Sequence, residues 1–307
     1  MINFLLSAFF ASMLSFLAVY VAITILLHLQ TYVSGIVNFG VVGFWGLGMY
    51  LTGIFNIAFG IPFFLALPLA ALCVGVIAVP LGRVLLNLDG QAVLVGTLAF
   101  ASIASDFVYA RRDLTGGSMG IGMVQIPIGT GEHRVTYYAL FIVALVVLLI
   151  LYAHFVKKAP FGRLLFSIRD NEPLSRSLGK PTFRKKIIFF GVTCGLLALF
   201  GGLTAPLYGF LLPYFIQASV TFMAWIALTL GGKAKISGAV LGVLATVFLF
   251  DYVIFIMLPL PANFAQMVPF FKFMIYGLTL VLVLMFRPTG ILGTGKLISR
   301  KKKEADK

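Results

Sequence analysis

Charge and cysteine are what this sequence has least of. Only 10% of the 307 residues are charged, 61% are hydrophobic, and no lysine or arginine precedes Arg83. A soluble domain carries roughly 25% charged residues, so this composition excludes a soluble globular protein and indicates an integral membrane protein. The two cysteines, Cys73 and Cys194, lie inside apolar runs without a CxxC or Cys/His cluster. That pattern argues against a disulfide framework and predicts inert packing residues.

The sequence also lacks the patterns of catalytic and metal sites. His28, His133 and His154 are far apart and show no HExxH or paired spacing, so no metal site is predicted. No Ser/His/Asp or paired-carboxylate constellation is visible, and we expect neither a catalytic residue nor an enzyme activity. The stretch GILGTGKL at 290–297 approaches the nucleotide-binding pattern GxxxxGK[ST], but Leu297 stands where the hydroxyl ligand of magnesium would be. The chain is therefore expected to bind no ATP, magnesium or other cofactor by itself.

Long apolar runs are what the sequence does have. A helix needs roughly 20 apolar residues to cross the bilayer. Nine runs approach or exceed that length, at residues 4–29, 40–59, 61–88, 91–110, 135–156, 187–212, 217–231, 236–258 and 265–286. We predict an all-α polytopic membrane protein with about nine transmembrane helices, in a range of about eight to ten. The short or Gly-rich runs at 40–59 and 217–231 are candidates for broken or re-entrant helices.

The basic residues are concentrated in two blocks. Residues 157–186 hold nine of the 23 lysines and arginines, and residues 287–307 hold seven. Basic blocks that flank apolar spans mark cytoplasmic segments, so we expect the loop 157–186 and the C-terminus to be cytoplasmic and no nucleic acid to be bound. One transmembrane domain over 1–295 with a basic cytoplasmic tail over 296–307 follows from this pattern.

The loop PFGRLLFSIRDNEPLSRSLGKP at 160–181 predicts two short helices. Asp170 and Asn171 are N-cap candidates for the second helix, with a proline in its first turn. Leu174 and Leu178 form an i,i+4 apolar pair, and Gly179 is placed to end the helix. The periodicity alone leaves two interpretations open, a docking surface for a partner and an amphipathic connector that lies on anionic lipid.

The same loop resembles the cytoplasmic loop of branched-chain amino-acid ABC transporter permeases of the LivM-like type. Further phrases similar to that family follow in the family's order: VNFGVVGFWGLGMYLTG (37–53), LTGGSMGI (114–121), FGGLTAPLYGFLLP (200–213), LTLGGKAKISGAVLGVL (228–244) and FRPTGILG (286–293). The resemblance covers roughly residues 20–295.

The resemblance implies the permease subunit of an ABC importer in the inner membrane of a prokaryotic cell. It implies as partners two ATPase subunits that hold ATP and magnesium, a second LivH-like permease and an extracytoplasmic substrate-binding protein, beside the membrane lipid. It also implies that the loop couples the permease to the ATPases. The residues expected to take part are Arg169, Asp170, Asn171, Glu172, Leu174, Ser175, Arg176, Leu178 and Gly179.

The family resemblance weakens at one point that bears on the substrate. The early segment usually reads close to SLGHAAFFGIGAY, whereas this chain reads NFGVVGFWGLGMY, with Val41 or its neighbour in place of the histidine. Branched-chain or hydrophobic amino acids are the expected substrates, and urea, short amides, sugars and nucleosides remain alternatives. Rivals from other classes are a self-contained secondary transporter or channel and a membrane scaffold that transports nothing.

Polar and aromatic residues in the spans are the candidates for the translocation pathway. They are Asn38, Trp45, Tyr50, Ser102, Asp106, Ser219, Thr221 and Trp225. An ionisable side chain in the hydrocarbon core costs about 2.5–3.5 kcal/mol and needs a partner or water. Asp251 and Lys272 lie at similar depths in consecutive predicted spans, so we expect them to pair, with a structural ion pair favoured over a direct contact with substrate.

Overall fold

The described part of the protein is mostly helical. The computed structural model describes residues 2–122, 124–129, 133–247, 274, 277–278, 281–282, 285 and 290–292. Eleven α-helices lie in this part of the chain: α1 (Ile2–His28), α2 (Val41–Ile57), α3 (Phe63–Leu85), α4 (Gly90–Ala110), α5 (Arg112–Thr115), α6 (Arg134–Lys158), α7 (Pro160–Asp170), α8 (Glu172–Ser177), α9 (Thr182–Tyr208), α10 (Ala218–Gly231) and α11 (Ile236–Val243).

The extended and irregular elements are few and short. Strands β1 (Ile121–Gly122) and β2 (Phe210–Leu211) pair antiparallel, with Ile121 opposite Leu211. A π-helical turn over Leu29–Val33 extends α1, and 3₁₀ turns occupy Gly117–Met119 and Pro213–Phe215. The predicted all-α polytopic fold is confirmed.

The apolar runs of the sequence correspond closely to the helices. Among the described residues, six helical stretches are long and apolar enough to cross a membrane: Ala8–Val33, Phe63–Leu85, Gly90–Ala110, Arg134–Lys158, Thr182–Tyr208 and Pro213–Gly231. Val41–Ile57 and Ile236–Val247 are shorter apolar helices. Of the two last predicted runs, residues 248–258 and most of 265–286 lie outside the described residues, so the number nine stays a prediction.

The two runs predicted to be irregular are preceded by breaks. Between α1 with its π-helical extension and α2, residues 34–40 are non-helical. Between α9 and α10, the chain passes through β2 and the 3₁₀ turn at Pro213–Phe215 before helix resumes at Ala218. The second break runs beside α2, because the Tyr50 hydroxyl donates to the Leu211 carbonyl at 3.0 Å and Gly46 lies against Ile216.

The chain divides into two compact units, Met1–Phe222 and Met223–Lys307. In the first unit α2 is central and packs against α9, α3 and α4. Its glycines allow backbones to touch: a Cβ on Gly48 would lie 2.1 Å from the Ala198 carbonyl oxygen. Helices that lack a hydrophobic driving force in lipid associate through such close contacts, so the Gly-rich sequence of α2 specifies its position beside α9.

The outer helices of the first unit bury only one stripe each. In α4 the buried positions are Val93, Thr97, Ala101, Ala104 and Val108, spaced three or four residues apart. Leucine, valine and phenylalanine side chains cover the opposite faces of α3, α4 and α6 and are exposed. A surface of this kind fits hydrocarbon, since helices that are apolar on every side belong inside a membrane.

In the second unit α11 lies against the end of α10 through small residues. A Cβ on Gly231 would meet the Gly238 carbonyl oxygen at 1.8 Å, and one on Gly242 would meet the Ala227 carbonyl oxygen at the same distance. The sequence GGKAKISG therefore forms a tight turn between two closely packed apolar helices. The expected basic tail 296–307, Asp251 and Lys272 lie outside the described residues.

Candidate functional site

The loop 160–181 forms a hairpin of two short helices, α7 and α8. Pro160 begins α7, and the Asn171 side chain caps α8 by accepting a hydrogen bond from the Leu174 amide at 3.0 Å. Of the two capping candidates, Asn171 therefore has this role, and Asp170 ends α7. Gly179 has a φ of +74°, which a residue with a side chain rarely adopts, and it lies just beyond the end of α8.

The apolar face of the hairpin is turned inward. Leu165 and Ile168 are fully buried. Close approach to α6 is possible because Gly162 has no side chain: a Cβ there would lie 1.9 Å from the Val156 carbonyl oxygen. Between the two helices, the Ser175 hydroxyl donates to the Ser167 carbonyl at 3.0 Å, and the hydroxyls of these serines lie 2.9 Å apart. The hairpin is thus fixed to the membrane helices as one piece.

The leucine pair of α8 points away from this packing. Leu174 is 57% exposed and Leu178 is 66% exposed. Both are large apolar side chains on an otherwise charged hairpin, and burial of their surface would be favourable. A partner protein or lipid could cover this surface.

The charged residues of the hairpin make bonds within the chain. The Glu172 carboxylate forms salt bridges with the Lys186 ammonium of α9 at 2.5 Å and with the exposed Arg176 guanidinium at 3.3 Å. The Arg169 guanidinium bonds Asp170 at 2.7 Å and donates to the Tyr32 carbonyl at the end of the first span. The sequence placed these charges in the loop but missed Lys186 and Tyr32, since no local pattern connects the loop to distant helices. Their predicted role toward an ATPase stays a prediction.

A second group of polar residues lies at the first break, inside the protein. The Gln30 amide donates to the Thr193 hydroxyl of α9 at 2.8 Å and accepts from the Asn38 amide at 3.0 Å. All three side chains are fully buried. Cys194, also buried, accepts a hydrogen bond from the Gln30 side-chain nitrogen at 3.6 Å. Gln30 and Thr193 were not singled out from the sequence, although a glutamine within an apolar run is a recognisable signal.

The start of α2 is held by side chains from other segments. The Gly40 amide donates to the Asn38 side-chain oxygen Oδ1 at 2.7 Å, the Phe39 amide to the Thr97 hydroxyl of α4 at 3.0 Å, and the Val42 amide to the Thr221 hydroxyl of α10 at 3.1 Å. The first amides of a helix have no partner within it and need one inside a membrane. Gln30, Asn38, Thr97, Thr193 and Thr221, which we name the polar junction, provide or support these partners.

The remaining pathway candidates are distributed over different environments. Trp45 and Tyr50 are buried in α2, and Trp225 is buried in the second unit with Lys233 at 5.5 Å from its ring. Ser219 is half-buried, whereas Ser102 and Asp106 lie on the exposed face of α4. The structure therefore brings Asn38 and Thr221 together at the polar junction and places Ser102 and Asp106 apart from it.

Within the described part of the chain, no group of three histidine, cysteine, aspartate or glutamate residues could hold a metal ion. Of the near-match to a nucleotide-binding loop, Gly290, Ile291 and Leu292 are described. The Ile291 amide donates to the Leu230 carbonyl at 2.8 Å, and the Leu292 amide donates to the Gly231 carbonyl at 3.2 Å. These residues thus continue the packing at the end of α10.

Comparison with known proteins gives a consistent result. Residues 4–284 match the family described as "Branched-chain amino acid transport system / permease component". The chain is 26% identical over 303 residues to the high-affinity branched-chain amino acid transport system permease protein LivM of Salmonella typhimurium, and 25% identical over 299 residues to LivM of Escherichia coli K12. Each alignment covers 89% of this chain and 68% of the relative.

A more distant match comes from an archaeon. The probable branched-chain amino acid transport permease protein LivM of Methanocaldococcus jannaschii is 25% identical over 194 residues, covering 61% of this chain and 55% of that protein. No solved structure matches the chain.

Proposed function

The chain belongs to the branched-chain amino acid transport permease family, and from that premise we propose that it forms the translocation pathway of an ABC importer for branched-chain amino acids. The family is one of transport permeases and not of enzymes. The likeness to LivM proteins of two bacteria and an archaeon supports the substrate class. The Val41 segment, where this chain departs from the usual family phrase, is where its selectivity would differ.

One observation carries the proposal: the α7–α8 hairpin is anchored to the membrane helices while Leu174 and Leu178 remain exposed. An ATPase drives transport only if its closure moves the spans, and this requires a contact that is rigid on the permease side. The leucines supply apolar area for an ATPase groove, and Arg176 at the edge of α8 supplies charge that fixes the register of docking.

The complete importer would have four kinds of subunit. We infer two ATPases that bind ATP and magnesium and perform hydrolysis, a second LivH-like permease beside this one, and an extracytoplasmic binding protein that delivers the substrate. ATP hydrolysis on the partners accords with the near-match at 290–297, which lacks the hydroxyl required for magnesium. Exposed apolar faces on α3, α4 and α6 are compatible with lipid or the second permease.

The hairpin and the C-terminus would face the cytoplasm of a prokaryotic cell. The clustering of nine basic residues in 157–186 supports this side. Within the first unit, Arg169 bonds the end of the first span, and β1, which follows α4, pairs with β2, which follows α9.

Substrate contacts remain proposals. Asn38 and Thr221 at the polar junction are favoured by their position at a broken span, where backbone groups and polar side chains can meet a zwitterion. Trp45, Tyr50, Ser102, Asp106, Ser219 and Trp225 keep their proposed places along the pathway.

The first test is purification of the tagged chain in mild detergent from its native membrane, with identification of the proteins that accompany it. We expect two ATPases and a second permease with the wild type. Leu174→Asp and Glu172→Lys should lose the ATPases and keep the second permease. Leu174→Met is the matched control, because it preserves apolar volume and should retain all partners.

Uptake by the purified complex in proteoliposomes tests the substrate class. ATP-dependent accumulation of leucine, inhibited by isoleucine and valine and not by urea or nucleosides, would support the proposal. Transport by the chain alone without ATP would contradict it and favour a secondary transporter.

A further inference from the structure

Arg169 occupies the place where the α7–α8 hairpin meets the end of the first span. Its guanidinium donates to the Tyr32 carbonyl, stacks over the Tyr32 ring with its central carbon 4.9 Å from the centroid, and lies 5.1 Å from the Phe166 centroid. Two of its nitrogens also bond one oxygen of Asp170, at 2.7 and 2.9 Å. The Arg169 side chain thus connects the end of α7 to the end of the first span.

The end of the first span is shaped to receive this side chain. Gly35 has a φ of +73°, and a Cβ there would lie 2.8 Å from the Cγ of Arg169. The Tyr32 ring is fixed further by the Lys157 ammonium, 5.0 Å from its centroid, and by stacking on His28 at 5.3 Å. The arginine stem therefore lies directly against the backbone of the break, with a fixed aromatic ring beneath the guanidinium.

Hydrogen bonds connect this contact to the start of α2. The Ser34 hydroxyl and the Ile36 amide both donate to the Gln30 carbonyl, at 2.6 and 2.9 Å. Asn38 then connects Gln30 to the Gly40 amide at the start of α2. A continuous series of hydrogen bonds thus runs from the end of the first span to the polar junction.

We propose that Arg169 is a positioning residue that joins the α7–α8 hairpin to the break at 34–40, so that movement imposed on Leu174 and Leu178 is transmitted to the N-terminus of α2. This inference rests on the proposed function. Arginine suits the position because its planar fork donates to a carbonyl and a carboxylate together while its face stacks on an aromatic ring. Lysine keeps the charge and cannot hold these contacts at once.

The test uses the complete complex in proteoliposomes with Arg169→Lys and Arg169→Ala. Both variants should purify with the ATPases, because the exposed leucines are unchanged, and should hydrolyse ATP within about twofold of wild type. Leucine uptake per ATP hydrolysed should fall about tenfold. Arg163→Ala is the matched control, because this exposed arginine of α7 donates to the Lys158 carbonyl at 3.1 Å and does not reach the break. Its ATP hydrolysis and its leucine uptake per ATP should both stay within about twofold of wild type.

A double-mutant cycle with Tyr32→Leu identifies the route. If Arg169 acts through Tyr32, the combined variant should lose no more uptake per ATP than the worse single variant. Three outcomes would overturn the proposal. The losses of the two single variants could multiply in the combined variant. Both Arg169 variants could instead keep wild-type uptake per ATP, or both could lose the ATPases. A wild-type complex that contains no ATPase would instead refute the proposed function, so the two failures are distinguishable.

Discussion

At the scale of single residues, buried polar side chains distinguish this protein from a simple bundle of apolar helices. Gln30, Asn38 and Thr193 are fully buried and bonded to one another across segments distant in sequence. A polar group in the membrane interior must have its hydrogen bonds satisfied by protein or water. This requirement explains why the glutamine before the helix break and the asparagine within it form a network with a threonine of α9.

Replacement of Gln30 tests this interpretation. In Gln30→Leu the Asn38 amide loses its Gln30 acceptor and the Thr193 hydroxyl loses its Gln30 donor, and we expect the free energy of unfolding to fall by about 1–2 kcal/mol. The measurement is reversible unfolding of the purified protein in mixed detergent micelles. Asn87→Ala, which removes an exposed side chain that donates to the carbonyl of Arg83, is the control. An unchanged stability in Gln30→Leu would show that the junction contributes nothing to the fold.

At the scale of elements, glycine determines how closely the spans pack. In α2, Gly48 meets the Ala198 carbonyl of α9, and in α9, Gly201 meets the Trp45 carbonyl of α2, where a Cβ would come within 1.9 Å. Contacts between backbones cannot be relieved by a change of rotamer, so the two helices would have to separate. The Gly-rich segment of α2 is thus a packing surface for α9.

A pair of glycine substitutions distinguishes packing from conformational freedom. Gly48→Ala should force α2 and α9 apart and lower the free energy of unfolding by about 2 kcal/mol or more. The yield of folded, monodisperse protein should therefore fall severely. Gly90→Ala, at the start of α4, where no contact from the described residues lies within 4 Å of the added Cβ, should leave the yield unchanged. Size-exclusion profiles of the two variants in detergent make the comparison, and equal profiles would contradict close packing of α2 on α9.

At the scale of the whole molecule, the direction of each span decides what the hairpin can touch. The predicted topology places α7 and α8 on the cytoplasmic side and the residues around β1 on the external side. Both positions have exposed residues suited to labelling, Ser177 on α8 and Met119 beside β1.

Labelling of introduced cysteines determines this topology. In a background with Cys73 and Cys194 replaced by alanine, Met119→Cys should react with a membrane-impermeant maleimide in intact cells. Ser177→Cys should react only after the membrane is opened. The reverse pattern would show that the protein has the opposite orientation in the membrane. Labelling of both introduced cysteines in intact cells would contradict an odd number of membrane crossings between residues 119 and 177.

The sequence by itself determined the class of fold, the helical runs and the hairpin. Hydrophobicity over about 20 residues, a capping residue at 170–171 and termination at Gly179 are local properties, so the long helices follow the apolar runs and the hairpin follows its turn residues, whereas the short α5 was not predicted. The family could be inferred for the same reason, because each sequence motif that carries the resemblance is a contiguous stretch of the chain.

Only the tertiary structure decided which polar residues meet. The contacts of Arg169 with Tyr32, of Glu172 with Lys186 and of Gln30 with Thr193 join segments from different helices. A helical pattern defines a face but not its neighbour, because the neighbour depends on the packing of every span at once. For that reason Ser102 and Asp106, grouped from the sequence with Asn38 and Thr221, lie on an exposed face of α4, while Gln30 and Thr193 complete the buried junction.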